Sequence, residues 1–179
     1  FIENGVGIEN FTEKLLQVYS NLKVIDSSTG ITDIINDEEG ENGHIWTSME
    51  NYKKQVKNIA NNLAKYNAEI YNRNADEYIE KIEELNRNYK EELSSLSGKK
   101  AICLNEAFSY LARDLNLDII MVETDHEEST LSADKLKELI KQVKESNIQV
   151  IIIGENDNTQ NAETIAKETN AKNRNGWRL

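Results

Sequence analysis

Apolar residues recur at helical spacing in the first part of the chain and alternate between strand and helix patterns in the second. Residues 7–22 carry apolar side chains three and four positions apart, which predicts an amphipathic helix, and the apolar stretch 22–25 predicts a strand. Residues 47–50 read Thr-Ser-Met-Glu, the form of a capping box, so a second helix is predicted to begin there with Thr47 at its N-cap.

Two long apolar stripes follow this helix start. The first extends from Met49 to Leu63, and the second extends from Tyr71 to Leu96. The second stripe predicts one helix of about seven turns, about 40 Å long at 1.5 Å per residue, which ends at Gly98. The chain contains no proline, which favours uninterrupted helices. A helix of this length does not fit well inside one small lobe.

After Gly98 the pattern predicts an α/β arrangement. Predicted strands cover residues 100–104, 118–122 and 149–153, and predicted helices cover residues 105–115, 132–146 and 161–169. Residues 150–153 are apolar on both faces, as in a central parallel strand that helices cover on each side. The predicted fold class is therefore α/β with parallel sheets, connected by right-handed crossovers.

Charge and composition exclude two classes of function. Asp and Glu number 32 and Lys and Arg 21, so the net charge is −11. Nucleic-acid binding is not expected, because no stripe of Lys and Arg with interleaved aromatic residues is present. Nucleotide binding has no support either, because Asn10 stands where the third glycine of G-x-G-x-x-G is required and no P-loop sequence occurs.

The single cysteine excludes a disulfide framework or a cysteine-based zinc site within one chain. Cys103 lies in the apolar run 101–104 and is predicted to be a small buried hydrophobic residue. No apolar stretch approaches the roughly 20 residues that cross a bilayer. Because the chain opens without Met or a basic leader, a signal or anchor region is expected upstream of residue 1.

Two histidines offer candidates for metal binding or catalysis. His44 ends a long polar and acidic loop, residues 26–43, just before a predicted helix, and His126 lies in the acidic stretch 123–128. Loop residues at such positions often face a cleft. For either histidine taken alone, an ordinary surface or capping role is the more common outcome.

Three further polar residues follow predicted strands. Asn105 and Glu106 follow the strand that ends at Leu104, and Glu155 follows the strand that ends at Ile153. This carboxyl edge is where open α/β sheets bind ligands. A carboxylate there serves as a ligand, as a helix cap or as a turn residue, and position alone does not decide among these roles.

Four segments together carry a resemblance to a known family. Residues 4–9 read Asn-Gly-Val-Gly-Ile-Glu, residues 43–46 read Gly-His-Ile-Trp, residues 107–112 read Ala-Phe-Ser-Tyr-Leu-Ala, and Ser-Ala stands at 132–133. In this order they resemble the N-G-x-G-L-E, P-H-x-W, A-F-x-Y-x-A and P-S-A segments of the zinc and manganese solute-binding proteins of bacterial ABC importers. The similarity extends to about Lys172, whereas the tail 173–179 does not resemble the strand and acidic loop that the family has there.

The resemblance implies two α/β lobes, joined by one long helix, that hold a metal between them. On this interpretation residues 1–66 form the second half of the N-terminal lobe, residues 67–98 form the connector helix, and residues 99–179 form the first part of the C-terminal lobe. Both lobes are then incomplete, as in a chain truncated at both ends.

The resemblance also implies a set of metal ligands. The family uses an early His, the His of P-H-x-W, a His or Glu before A-F, and a late acidic residue. His44 matches the second. Asn105 occupies the third position, where its neutral amide oxygen is a poorer zinc ligand than imidazole or carboxylate, and Glu106 is the candidate substitute. The first and fourth positions lie outside the chain, Glu155 is a further candidate, and Trp46 is expected to pack beneath the site.

The implied function is binding without catalysis. The family captures zinc or manganese outside the cytoplasm, as a periplasmic protein or a surface lipoprotein, and delivers this cargo to an ABC transporter permease. The alternative is a surface interaction or adhesion protein, or a truncated remnant, that no longer binds metal.

A hydrolase or chelatase-like enzyme would need Glu106, Glu155 and His126 in one cavity. Exposed edges of incomplete sheets predict a homodimer or swapped assembly. The sequence does not distinguish zinc from manganese.

Overall fold

A computed structural model of the protein describes residues 1–37, 40–122, 131–148, 150–154, 159–169 and 171–175. The chain divides into two units, Phe1–Glu92 and Leu93–Leu179. Each unit has its own elements and its own interior.

The first unit begins with two short parallel strands joined through a helix. Strand β1 (Ile2–Glu3) pairs with β2 (Ile25–Asp26), and α1 (Thr12–Val18) lies between them in the chain. Helix α1 is shorter than the predicted 7–22. Residues 5–7 have positive φ angles of 87°, 52° and 75° and form a left-handed turn before it, and Tyr19, with φ −119° and ψ 73°, ends it. Strand β2 begins at the last residue of the predicted strand.

The acidic loop contains a small hairpin. Strands β3 (Asn36–Asp37) and β4 (Gly40–Glu41) pair antiparallel, and residues 38 and 39 lie outside the described residues. A 3₁₀ turn, Ile45–Thr47, follows and leads into helix α2, Met49–Glu92. The segment predicted as one long loop therefore has structure at its C-terminal end, immediately before the helix.

Helix α2 begins one residue later than its capping pattern predicts. Ser48 has extended backbone angles, and its Oγ accepts a hydrogen bond of 3.4 Å from the Asn51 N–H. Thr47 instead lies in the 3₁₀ turn, where its Oγ1 donates to the carbonyl of His44 at 2.9 Å. The prediction of Thr47 as the N-cap is therefore wrong, because this hydroxyl is used inside the preceding turn.

Helix α2 is a hairpin of two arms, residues 49–66 and 68–92. Asn67 has φ −164° and ψ 92°, which interrupts the helix, and its Oδ1 caps the second arm by accepting from the Ile70 N–H at 3.1 Å. Salt bridges of 2.8 Å and 3.2 Å join the arms in antiparallel order, Lys57 with Asp76 and Lys53 with Glu83. The second arm ends at Glu92, not at the predicted Gly98, because the 3₁₀ turn Ser94–Leu96 follows it.

The second unit is a four-stranded parallel sheet with helices. Its strands are β5 (Lys100–Cys103), β6 (Asp118–Met121), β7 (Val150–Ile153) and β8 (Lys172–Asn175), in the spatial order β6-β5-β7-β8. Helices α3 (Ser109–Asp114), α4 (Ala133–Glu145) and α5 (Gln160–Glu168) complete the alternation. The predicted α/β fold class with parallel sheets is confirmed.

Strand β8 departs from the sequence analysis. Residues 173–179 did not resemble a strand, yet Lys172–Asn175 pairs parallel with β7 from Val150↔Lys172 to Ile153↔Asn175. Pairing of this kind is carried by backbone hydrogen bonds, which polar residues also make at the edge of a sheet. The polar composition of this segment therefore concealed the strand.

The core of the second unit lies between the sheet and two helices. Ile151 and Ile165 are fully buried, and Val143 is 1% exposed. These side chains come from β7, α5 and α4, so the apolar run predicted as a central strand packs against both helices. Cys103 is fully buried, which confirms its prediction as a small buried hydrophobic residue.

Candidate metal centre

His44 lies between β4 and α2 in a tightly bonded turn. Its carbonyl accepts hydrogen bonds from the N–H and the Oγ1 of Thr47, at 3.1 and 2.9 Å. Gly43 and Ile45, on either side, are buried, whereas His44 itself is half-buried. The turn therefore fixes the backbone of His44 while it leaves part of the imidazole ring exposed.

Asn42 contacts His44 twice. This side chain is 4% exposed. Its Oδ1 accepts the backbone N–H of His44 at 3.0 Å and lies 3.0 Å from ring Nδ1. The backbone N–H of Asn42 donates to the carbonyl of Ile35 at 2.8 Å, which ties Asn42 to the preceding strand segment. The buried side chain of Asn42, whose backbone is bonded to Ile35, thus holds the ring of His44.

The N-terminal motif supports the same turn through Asn4. Its Nδ2 donates to the carbonyl of Gly43 at 3.0 Å, and its Oδ1 accepts from Nε2 of Gln55 at 2.8 Å. The carboxylate of Glu9 accepts the backbone N–H groups of Asn4 and Gly5 at 2.7 and 3.1 Å and closes the turn of residues 4–9. The motif residues therefore link the chain start, helix α2 and the histidine turn.

These supporting residues were not predicted as site residues. Asn42 and Gln55 are 4% and 5% exposed, so both are buried polar side chains. Gln55 lies within the first apolar stripe of α2, and a polar residue on a buried helix face is the signal that points to a hydrogen-bond network. No comparable sequence signal marked Asn42, whose contact with His44 depends on the turn.

The structure corrects the expected place of Trp46. Its side chain is 40% exposed and does not pack beneath the histidine turn. Ile45, which is fully buried, provides the anchor in its place. The Trp46 ring lies beside the ring of His44, with centroids 5.1 Å apart and planes inclined by 52°. Trp46 is therefore a neighbour of the candidate ligand.

In the second unit Asn105 acts as a cap. Its Oδ1 accepts the N–H of Ala107 at 2.9 Å, at the start of the 3₁₀ turn Glu106–Phe108. Its carbonyl accepts a hydrogen bond from Cys103 Sγ at 3.1 Å. The amide oxygen that was considered as a metal ligand is thus bonded to backbone. Glu106 is the first residue of that turn and is half-buried.

The remaining candidates lie outside the described residues, namely Glu155 and His126. His44 belongs to the first unit, and the consecutive residues Asn105 and Glu106 belong to the second. Within the described part of the chain, no three or more His, Cys, Asp and Glu side chains form a group that could hold a metal ion. No described helix is both long enough and apolar enough to cross a membrane.

Comparison with protein families and relatives adds independent information. Residues 1–175 match the family described as ZnuA, zinc-uptake complex component A, periplasmic. The chain is 34% identical over 142 residues to the zinc-binding protein AdcA of Streptococcus pyogenes, which covers 75% of this chain and 28% of AdcA. It is also 34% identical over 135 residues to the high-affinity zinc uptake system protein ZnuA of Bacillus subtilis, covering 72% and 41% of the two chains. The chain therefore spans less than half the length of these relatives.

Solved structures show the same similarity. A crystal structure of ZnuA superposes with a TM-score of 0.83 at 32% identity and covers 97% of this chain and 69% of that one. A manganese-bound periplasmic metal-binding protein from Candidatus Liberibacter asiaticus superposes with a TM-score of 0.79 at 26% identity, covering 97% and 68%. The similarity thus extends over almost the whole chain in sequence and in fold.

Proposed function

Because the chain belongs to the ZnuA family of periplasmic zinc-uptake components, we propose that it binds zinc or manganese outside the cytoplasm and delivers the ion to the permease of an ABC transporter. The metal is cargo and not a catalytic cofactor. The names of the zinc-uptake relatives and the manganese-bound structure support this choice of ions. The family consists of binding components of transport systems and not of enzymes.

The geometry of His44 is the observation that carries the proposal. Imidazole nitrogen is a common zinc ligand, and hydrogen-bond partners that orient the ring strengthen the binding of the metal. Here the Thr47 hydroxyl donates a hydrogen bond to the carbonyl of His44, and the buried Asn42 contacts ring Nδ1 of His44. His44 is therefore the proposed principal ligand.

Further ligands are proposed in the second unit. Glu106 supplies a carboxylate one residue after Asn105, whose own amide oxygen caps a turn. Asn105 is therefore proposed to adjoin the site and to position Glu106, while Glu155 is proposed as a further oxygen ligand. We also propose that residues 1–66 and 99–179 correspond to parts of two lobes and that residues 67–98 connect them. Self-association of two chains would bring additional ligands to such a site.

Calorimetric titration of the chain with zinc and with manganese tests the proposal. His44→Ala should weaken the binding of both ions by at least about tenfold, which corresponds to about 1.4 kcal/mol. Glu106→Gln should weaken binding to a smaller extent, because a carboxylate is replaced by an amide of the same shape. Lys14→Ala, on the exposed surface of α1, is the control and should bind as the wild type does.

A second candidate function has one observation in its favour. The amide oxygen of Asn105, at one of the ligand positions that the resemblance implies, is engaged as a cap of the backbone N–H of Ala107. A family member that no longer binds metal would act instead as a surface interaction or adhesion protein. Failure of the folded wild-type chain to bind either ion, at both low and high protein concentration, would favour this function. Light scattering during the titration reports whether a dimer forms.

A further inference from the structure

The orientation of the Asn42 amide is determined by a backbone donor. The N–H of His44 points at Asn42 Oδ1 over 3.0 Å, and a backbone N–H has no acceptor role. The atom that receives it must therefore be the amide oxygen and not the nitrogen. This settles the usual ambiguity between the two ends of an asparagine side chain.

The same oxygen then defines the state of the imidazole ring. Asn42 Oδ1 also lies 3.0 Å from Nδ1 of His44. A carbonyl oxygen only accepts, so the partner atom Nδ1 has to carry the hydrogen. In the neutral ring only one nitrogen is protonated, and the lone pair that binds a metal is then on Nε2. The tautomer of His44 thus follows from the hydrogen bond that its own backbone N–H donates to Asn42 Oδ1.

We infer that Asn42 is a positioning residue which holds neutral His44 in the tautomer protonated at Nδ1, so that Nε2 is the nitrogen that binds a divalent metal. This inference rests on the proposed function for its metal-binding part. Asn42 would act on the metal through His44 and would not itself be a ligand.

Burial makes this contact persistent. Asn42 is 4% exposed, and its own N–H is bonded to the carbonyl of Ile35. The adjacent Gly43 is held by Asn4 through its carbonyl. Water therefore has little access to the amide, and the backbone on both sides of the contact is fixed. Partners of metal-binding histidines that orient the ring in this way commonly change metal affinity by about 10–100-fold when they are removed.

Nitrogen NMR of the metal-free chain tests the tautomer directly. Long-range proton–nitrogen correlation of the ¹⁵N-labelled chain, recorded at a pH at which the ring is neutral, distinguishes the two tautomers of His44. His44→Gln identifies the signals that belong to this ring. The wild-type ring should show protonated Nδ1. A ring protonated at Nε2 in the folded wild type would overturn the inference.

Substitution of Asn42 tests its role. Asn42→Ala should shift His44 toward the other tautomer and weaken zinc binding by about 10–100-fold, whereas Asn42→Asp retains an acceptor oxygen and should keep the wild-type tautomer. Asn36→Ala is the matched control, because Asn36 is an exposed asparagine of the same loop whose side chain bonds only locally to Ile34. An unchanged tautomer in folded Asn42→Ala would contradict the role of Asn42.

The two proposals fail in distinguishable ways. The tautomer is measured without metal, so a chain that shows protonated Nδ1 but binds no zinc contradicts the proposed function alone. A chain that binds zinc through His44 with the same affinity in Asn42→Ala contradicts the positioning role alone. Circular dichroism of each variant shows whether the fold is retained, and Asn42→Asp provides the comparison if the alanine variant does not fold.

Discussion

The side-chain amide of Asn4 donates a hydrogen bond of 3.0 Å to the carbonyl of Gly43, the residue that precedes His44. The two residues are 39 positions apart in the chain. Asn4 also bonds to Gln55 in α2. Asn4 therefore links the turn that carries His44 to the chain start and to helix α2, and changes at Asn4 should affect both stability and metal binding.

Replacement of Asn4 by alanine is expected to lower the free energy of unfolding by about 1–3 kcal/mol, because the carbonyl of Gly43 and the side-chain amide of Gln55 each lose a hydrogen bond. Urea unfolding measures this loss. Asn62→Ala is the control, since Asn62 is exposed and its amide donates to the carbonyl of Asn58 in the same helix. It should change stability by less than about 0.5 kcal/mol. Equal effects of the two substitutions would argue against the supporting role of Asn4.

Gly5 should tolerate alanine less well than Gly30 does. Both have positive φ, 87° and 77°, so both substitutions incur about 1–2 kcal/mol of backbone strain. A Cβ at Gly5 would also lie 2.3 Å from Asp26 Oδ1 and 2.3 Å from Ser28 Oγ, whereas nothing lies within 4 Å of a Cβ at Gly30. Gly5→Ala should therefore lose about 1–3 kcal/mol more in urea unfolding. A smaller loss for Gly5→Ala than for Gly30→Ala would contradict this expectation.

Asn67→Ala should destabilise the hairpin of α2 by about 1 kcal/mol, because the Ile70 N–H loses its cap. Thermal unfolding followed by circular dichroism measures the change. Asn67→Asp keeps an acceptor oxygen at the same position and should retain most of the stability. If the aspartate variant is as unstable as the alanine variant, the cap does not account for the role of Asn67.

The contact between Tyr52 and Tyr78 predicts a loss of stability at high pH. The hydroxyls of Tyr52 and Tyr78 are 3.1 Å apart, and this hydrogen bond, with burial and the charge of a neighbouring tyrosinate, raises the pKa of Tyr52 to about 12. An unfolded tyrosine releases its proton near pH 10. Between these values the unfolded chain loses the proton first, so stability should fall as pH rises above about 10.

Urea unfolding at several pH values compares the wild type with Tyr78→Phe. The phenylalanine variant lacks the partner hydroxyl, so the pKa of Tyr52 should return toward its usual value and the decline with pH should be shallower. Tyr19→Phe, at an exposed tyrosine of the same unit, should leave the decline unchanged. Identical pH profiles for wild type and Tyr78→Phe would show that this contact does not control the titration.

Trp46 should report on metal binding by fluorescence. Its ring lies 5.1 Å from the ring of His44, so an ion on His44 would change the local field and the mobility of the indole. Addition of zinc should change the emission of the wild type, and the change should be absent in Trp46→Phe and in His44→Ala. A zinc response that persists in Trp46→Phe would place the binding site elsewhere.

The sequence predicted the second unit more fully than the first. The three predicted strands correspond to β5, β6 and β7, because each contains a short run of consecutive apolar residues, which is a strong strand pattern. Strand β8 was not predicted, because an edge strand needs only backbone pairing and leaves no apolar pattern. The break at Asn67 coincides with the first residue of the predicted connector helix, residues 67–98, whereas the end of that helix was predicted six residues too late, at Gly98 and not at Glu92.

The sequence likewise predicted one part of the candidate site and not the rest. Its motif identified His44, whereas the contacts of Asn42 and Asn4 depend on how a turn folds and on a pairing 39 residues apart. Trp46 was misplaced because Ile45, its neighbour, takes the buried position, and successive residues of a 3₁₀ turn point in different directions. Local pattern therefore predicts His44 as a candidate ligand, whereas the support of its turn depends on the long-range contact with Asn4 and its ring contact depends on Asn42.

The antiparallel arms of α2 also bear on the order of folding. Their contacts join residues 19 to 36 positions apart, whereas the Asn4 contacts span 39 and 51 positions. Shorter loops close at lower entropic cost and form sooner. We therefore expect the hairpin to assemble early and the histidine turn to become ordered late, when the chain start docks onto it. A newly synthesised chain would then order His44, the proposed ligand, in a late step of maturation, so that only nearly native molecules would compete for metal.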